Sequence, residues 1–151
     1  MYKRILVPYD GSEPSRAGLR EAIDLAAGAG ATLVVLNVVS ELPLLTGGEI
    51  YMNYGEIAEI LMKTGRQLAQ EAAGIAGKAG VTCESHVIDG GASAVCDVIL
   101  DQIATQRCDL VVMGTHGRRG LKRLTLGSDA ELVVRRSSVP VLLAKAAQAS
   151  M

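Results

Sequence analysis

Five short runs of aliphatic and β-branched residues, separated by stretches of helical periodicity, constrain this chain more than any other feature. The runs are Arg4–Tyr9 (RILVPY), Thr32–Val39 (TLVVLNVV), Val81–Ile88, Leu110–Met113 (LVVM) and Val139–Ala144 (VPVLLA). Each predicts a strand. Their apolar residues run nearly without alternation, which suits parallel strands covered on both faces. The chain is 49% hydrophobic with no Trp and no Phe, so the core must be built from Val, Leu, Ile and Ala. About 150 residues suffice for one domain that buries roughly 68–70% of its unfolded surface.

The intervening segments carry helical patterns. Leu19, Ala22, Ile23 and Ala26 make one apolar face, with Ser12 as N-cap, Pro14 in the first turn, and Gly28 and Gly30 as stop signals. A second helix places Ile57, Leu61, Thr64, Leu68, Ala72, Ile75 and Ala79 on one stripe and ends before Gly80. The third carries Val95, Val98, Ile99 and Ile103. The fourth spans about Ser128 to Arg136, with Ala130, Val133 and Val134 inward. Such β-α alternation predicts an open parallel α/β sheet with helices on both faces, right-handed crossovers and a switch point at the C-terminal ends of the central strands. No internal repeat and no second domain is visible. The one long connection, Ser40–Gly55, holds a Pro, three Gly and two of the four Tyr; it is either a surface loop or a cover over the switch point.

Charge and cysteine usage exclude several classes of function. Fifteen Lys and Arg face sixteen Asp and Glu, leaving a net charge of −1, so no global field recruits nucleic acid or an anionic membrane. The longest uncharged stretch, Leu25–Ser40, is broken by Gly28, Gly30 and Asn37 and is too short to span a bilayer. The opening MYKRILVPYDGS lacks the apolar length of a signal peptide, and a cytoplasmic location is expected. Cys83, Cys96 and Cys108 are odd in number and contain no CxxC pair, which favours buried free thiols over a disulfide framework or a zinc site.

The stretch that carries chemistry is Met113–Arg136, MGTHGRRGLKRLTLGSDAELVVRR. Gly114 ends the fourth strand, Gly117 follows, and after nine intervening residues Gly127-Ser128 opens a helix. Glycine allows positive φ and close backbone approach to a ligand. A helix N-terminus offers unpaired N–H groups and a dipole that favours anions. Arg118, Arg119, Lys122 and Arg123 crowd the loop between, and six of the fifteen cations fall between Arg118 and Arg136 against only Asp129 and Glu131. Two readings fit: a phosphate cradle, or a basic turn whose glycines are stop signals.

The spacing Gly114-x2-Gly117-x9-Gly127-Ser128, the opening ILVPYDGS with Asp10 after the first strand, and the closing SSVPVLLAK resemble the universal stress protein family. The resemblance covers essentially the whole chain in order. It implies a single Rossmann-like domain over residues 1–151, an open five-stranded parallel sheet of strand order 3-2-1-4-5, and the ATP-binding branch of the family. By motif position, Gly114, Gly117, Gly127 and Ser128 would contact the phosphates and ribose of ATP. Pro8 and Asp10 would hold the adenosine part, Val38 would pack on adenine, and Met113 would flank the site. Arg118 and Arg119 are candidate phosphate contacts. Mg²⁺ or Mn²⁺ would accompany the nucleotide, AMP and ADP are alternative ligands, and a homodimer would form through Val139–Ala144. Two positions depart from the family pattern. Asn37 stands where relatives often have His, and Asp129 stands beside the expected phosphates where a small apolar residue is common.

Single residues admit plainer readings. Asp10 can serve an Asx turn as well as a ribose, His116 fits a surface loop as well as a phosphate contact, and His86 fits a structural role in the third strand. Tyr51 and Tyr54 fit either stacking or exposure. No GxxxxGK[ST] loop, GxSxG elbow or HExxH helix occurs, and no base is evident to activate water. The expected function is a nucleotide-dependent regulatory module in stress response. A slow metal-dependent ATPase, with Asp10 or Asp129 organising metal and water, and a nucleotide-independent dimeric interaction protein are the alternatives.

Overall fold

The computed structural model describes residues 1–40, 54–115 and 126–147. Chain order is β1 (Arg4–Pro8), α1 (Glu13–Ala29), β2 (Thr32–Ser40), α2 (Tyr54–Lys78), β3 (Cys83–Gly91), α3 (Val95–Thr105), β4 (Leu110–Gly114), α4 (Ser128–Arg136) and β5 (Val141–Ala144). All strand pairs are parallel, and the sheet order is β3-β2-β1-β4-β5. This is the open parallel α/β sheet that the alternation predicts, in the Rossmann-like strand order that the resemblance implies. The chain runs outward from β1 to β3 and then crosses to the other side of β1 to lay down β4. The switch point is therefore between β1 and β4.

Two apolar layers sandwich the sheet. On one face Ile5, Val7, Leu33, Val35 and Val112 pack against Leu19, Ala22, Ile23 and Ala26 of α1 and Ala72 and Ala76 of α2. On the other, Leu6, Val34, Leu36, Val111 and Met113 meet Cys96, Ile99 and Ile103 of α3 and Ala130 and Val133 of α4. Alternate residues of each central strand serve opposite layers. The ends of α1 follow Ser12 and Gly30, whereas Gly28 does not stop the helix, which runs through it to Ala29. Ser12 caps α1 by accepting from Ser15 N at 3.3 Å, and Gly30 ends it in the left-handed region at φ +66°.

The helix stripes differ from prediction at three places: Ile75 and, just past the end of α2, Ala79, both exposed, and Val134. Ile75 is exposed while Gly65, Ala69 and Ala76 are buried, so the small residues of α2 face the sheet. A side chain at Gly65 would put its Cβ 2.6 Å from Asn37 Oδ1 and 3.0 Å from Val87 Cγ1. The helix rides too close to β2 and β3 for anything larger. Val134 is likewise exposed rather than inward, because α4 buries only Ala130 and Val133. Cys96 and Cys108 are buried and free, and Cys83 is half-buried. Burial raises all three thiols above their ordinary range, Cys108 to about 11.

Candidate functional site

The C-terminal ends of β1, β2 and β4 lie side by side, and with them Pro8, Asp10, Val38, Met113 and Gly114 come to one edge of the sheet. Ser128 opens α4 at the same edge. Gly127 N donates to Thr115 O at 2.7 Å, and Thr115 N donates to Ala144 O at 3.1 Å. The end of β4 is thereby joined both to the start of α4 and to the end of β5. Gly127, the N-cap of α4, has no side-chain acceptor to offer, and Ser128 is exposed. Gly117, Arg118, Arg119, Lys122, Arg123 and His116 lie outside the described residues, as do Tyr51 and the side chain of Tyr54.

The β1–α1 corner is built from short polar bonds. Asp10 Oδ1 accepts from Ser12 N at 2.9 Å, Asp10 N donates to Ser15 Oγ at 3.4 Å, and Ser15 Oγ donates to Ser12 O at 2.9 Å. The Asx turn is therefore real, and one carboxylate oxygen of Asp10 is engaged in it. Gly11 takes φ +81°, a left-handed conformation that glycine adopts without cost.

Gly114 has a demand on it that ligand approach does not explain. A Cβ there would overlap the Pro14 carbonyl, and a Cβ on Gly18 would come within 3.1 Å of Gly114 N. The first turns of α1 thus lie directly on the end of β4; packing alone requires glycine at 114 and leaves only a tight fit at 18. Asp129 also differs from the worry its charge raises. Its Oδ1 accepts from Cys96 N at 3.3 Å, so it supplies an N-terminal acceptor to α3, whose own N-cap, Ala94, makes no side-chain bond. The Arg136–Asp97 pair at 2.7 Å ties the same two helices a second time.

Tyr9 is the residue that spacing arguments pass over. It is flanked by Pro8 and Asp10 but its ring turns into the α1/α2 layer and is only 2% exposed. Each of its polar groups is engaged: Tyr9 N donates to Leu36 O at 2.9 Å, Tyr9 O accepts from Asn37 Nδ2 at 2.9 Å, and the hydroxyl donates to Glu71 Oε1 at 2.7 Å. Burial, reinforced by the Glu71 carboxylate, pushes the phenol up to about 12. Asn37 therefore acts on the backbone beside Asp10. The sequence signal for both was available: alternation along β1 sends Tyr9 to the opposite face from Pro8.

His86 sits on β3, one-third exposed, with Nε2 at 3.9 Å from Glu84 Oε2. It shares a register row with Leu36 and Pro8 but stands on β3, with β2 between it and β1. Among the described residues no group of three or more His, Cys, Asp or Glu is placed to hold a metal ion. The carboxylates nearest the edge, Asp10 and Asp129, each already accept a backbone N–H. The described residues do not form a metal cage.

The model of the universal stress protein family matches residues 1–145. The chain belongs to the universal stress protein family. A universal stress protein of Methanocaldococcus jannaschii is 31% identical over 145 residues, covering 96% of this chain and 83% of that protein. Among solved structures, a universal stress protein from Burkholderia pseudomallei superposes with a TM-score of 0.76 at 26% identity, covering 94% of this chain and 95% of that one. Two more distant members share the fold. One, solved in complex with cAMP, has a TM-score of 0.70 at 24% identity, with 97% and 99% of the two chains covered. The other, from Archaeoglobus fulgidus and in complex with dAMP, has a TM-score of 0.66 at 23% identity, with 95% and 98% covered. Universal stress protein membership thus accounts for the sheet order and for the glycine spacing together. Among the described residues, no helix is long and apolar enough to cross a membrane.

Proposed function

We propose that this universal stress protein binds an adenine nucleotide at the C-terminal edge of its sheet and serves as a nucleotide-dependent regulatory module in stress response. The observation that carries the reading is the convergence of Pro8, Asp10, Val38, Met113, Gly114 and the α4 N-terminus at the switch point between β1 and β4. Ligands of open α/β sheets bind at that place. Two relatives of the same fold were solved with adenine nucleotides, which supports the same ligand class here.

In this reading Pro8 and Val38 flank the base, and the Asp10 carboxylate, oriented by its bond from Ser12 N, accepts from a ribose hydroxyl. Ser128 presents the first N–H of α4 and a hydroxyl to phosphate, beside the backbone of Gly127, whose own N–H is taken by Thr115 O. Gly117, Arg118 and Arg119 complete the phosphate end. A divalent cation would arrive with the phosphates, since the described residues form no cage for one. No base for water is evident among the described residues, and the reading is of binding rather than rapid turnover. A cytoplasmic location and a homodimer through β5 belong to the same reading; β5 is an edge strand with half-buried Val141, Leu142 and Leu143, and such edges pair with a second copy.

The test is direct. Protein purified without added nucleotide is denatured and its supernatant analysed by chromatography and mass spectrometry, and the refilled or stripped protein is titrated with ATP, ADP and AMP. Co-purifying adenine nucleotide, or titration in the micromolar range that Asp10→Ala weakens about tenfold or more, is the expected result. An empty extract followed by no binding at millimolar ligand overturns the reading and leaves the nucleotide-independent interaction protein.

A further inference from the structure

Helix α2 touches the β1–α1 corner through residues spaced by three, Gly65, Leu68 and Glu71. Gly65 lies against Asn37, whose amide donates to Tyr9 O. Leu68 sits over Gly11, where a Cβ would approach its Cδ2 to 2.7 Å. Glu71 Oε1 accepts from the Tyr9 hydroxyl at 2.7 Å and pairs with Arg16 Nη2 at 3.3 Å. Arg16, in turn, donates from Nε to Gly11 O at 3.0 Å. Glu71 thus closes a ring of polar contacts, through Tyr9 on one side and Arg16 on the other, whose ends are the two residues bracketing Asp10.

An ordinary surface ion pair between Arg16 and Glu71 would contribute little by itself. This one differs because one carboxylate oxygen also takes a hydroxyl from a ring that is 2% exposed. The backbone of Asp10 therefore has its position set from both flanks, while the Asx turn sets its side chain. The strand pairing reaches no further than Tyr9, whose N–H donates to Leu36 O, and leaves Gly11 beyond the ladder.

We propose that Glu71 is a positioning residue for the nucleoside end of the site, acting through Tyr9 and Arg16 to hold the Asp10–Gly11 turn where a ribose would meet the Asp10 carboxylate. The inference rests on the nucleotide reading above. Glu71 itself touches no ligand in this scheme; it fixes the residue that does, and preorganisation of that kind appears as affinity.

The experiment is a set of AMP and ATP titrations on the full chain, with thermal unfolding of each variant measured alongside. Glu71→Leu, which removes both contacts, is expected to weaken binding about three- to tenfold, and Tyr9→Phe by a similar factor. Glu71→Gln keeps an acceptor for the Tyr9 hydroxyl and is expected to stay within about twofold of the wild type. In an Asp10→Ala background Glu71→Leu should have almost no further effect on affinity, since the residue it positions is gone. Amide exchange at Ser12, whose N–H reports the Asp10 turn, should accelerate in Glu71→Leu without ligand present. Unchanged affinity in Glu71→Leu and Tyr9→Phe overturns the proposal while the nucleotide reading stands. So does a loss that carries over in full to the Asp10→Ala background, which would mark a purely structural role. Absence of binding by the wild type overturns both together.

Discussion

The two ends of the sheet use polar groups in opposite ways. At the N-terminal end, charges are spent on the chain itself. The Asp109 carboxylate accepts from Lys3 N at 2.9 and 3.1 Å and from Arg4 N at 3.0 Å, while Arg4 donates to Gln106 O at 2.8 Å and forms a two-pronged pair with Glu84 at 3.0 and 2.8 Å. At the C-terminal end the described contacts are glycine approaches, an Asx turn, helix N-termini and the Tyr9–Glu71–Arg16 ring. The N-terminal network ties strand starts to one another across the sheet, whereas the C-terminal contacts gather around the single turn that carries Asp10. The proposed function would use this difference: the N-terminal network anchors β1 and β4, and the other end carries the Asp10 turn and the α4 N-terminus.

The largest effect should come from Gly114→Ala. Its new Cβ collides with the Pro14 carbonyl, which belongs to backbone and cannot swing away. Destabilisation of about 2–3 kcal/mol is expected, a fall of about 5–10 °C in Tm by calorimetry, with nucleotide binding lost at temperatures where the variant is still folded. A neutral Gly114→Ala would show that α1 can lift off β4 and would weaken the claim of a packed C-terminal corner. Asp109→Ala tests the other end. It leaves the Arg4 N–H short of an acceptor and should cost about 1–2 kcal/mol, with nucleotide affinity unchanged within about twofold. Asp109→Asn, which keeps one acceptor oxygen, should recover much of the loss.

Asp10→Ala should invert that pattern. The Ser12 N–H it releases is only partly buried, so stability should fall by less than about 1 kcal/mol, whereas affinity for AMP should drop about tenfold or more. If Asp10→Ala and Asp109→Ala both cost stability equally and neither changes binding, the contrast between the ends carries no functional meaning.

How far these distinctions were readable before any coordinates depends on what carried the signal. Strands β1, β2 and β4 are near-continuous β-branched runs, and their positions agree to within a residue or two. The start of β3 comes later than predicted because Val81 is used elsewhere: its N–H donates to Ala76 O, closing α2 over Gly80 at φ +75°. The strand start at Val141 rather than Val139 follows from Pro140, which has no N–H, and from Val139 N, which donates to Ser137 Oγ. The buried stripe of α2 was misjudged at Ile75 because apolar periodicity weights large residues, while close approach to β2 selects Gly65, Ala69, Ala72 and Ala76. In the site, the glycine spacing and Asp10 were legible as a pattern. The Tyr9–Glu71 bond was not, since it joins residues 62 apart in sequence and neither belongs to a local motif.

Titration separates the two ends by a smaller but signed effect. At the N-terminal end partial burial works to raise the Asp109 pKa, but the backbone donors from Arg4 and Lys3 outweigh it and hold the group below its ordinary value. Glu84 is likewise held low, chiefly by its hydrogen bonds from Arg4. A carboxylate with a depressed folded pKa stabilises the fold above the ordinary carboxylate range and loses that contribution as pH falls through its lowered value. Stability should therefore decline below about pH 4, and Asp109→Ala should flatten that decline. Beside the candidate site the sign is reversed. Tyr9 is raised from its usual 10 to about 12 by burial and by Glu71, so its contribution is complete below pH 10 and is lost as pH rises toward 12. Tyr9→Phe should abolish this alkaline loss while leaving the acid limb untouched. Unfolding midpoints in denaturant measured across both limbs would resolve the two. An acid limb that moved with Tyr9→Phe would mean that the ends of the sheet are coupled, and that the charge network around Arg4 participates in holding the corner at Asp10.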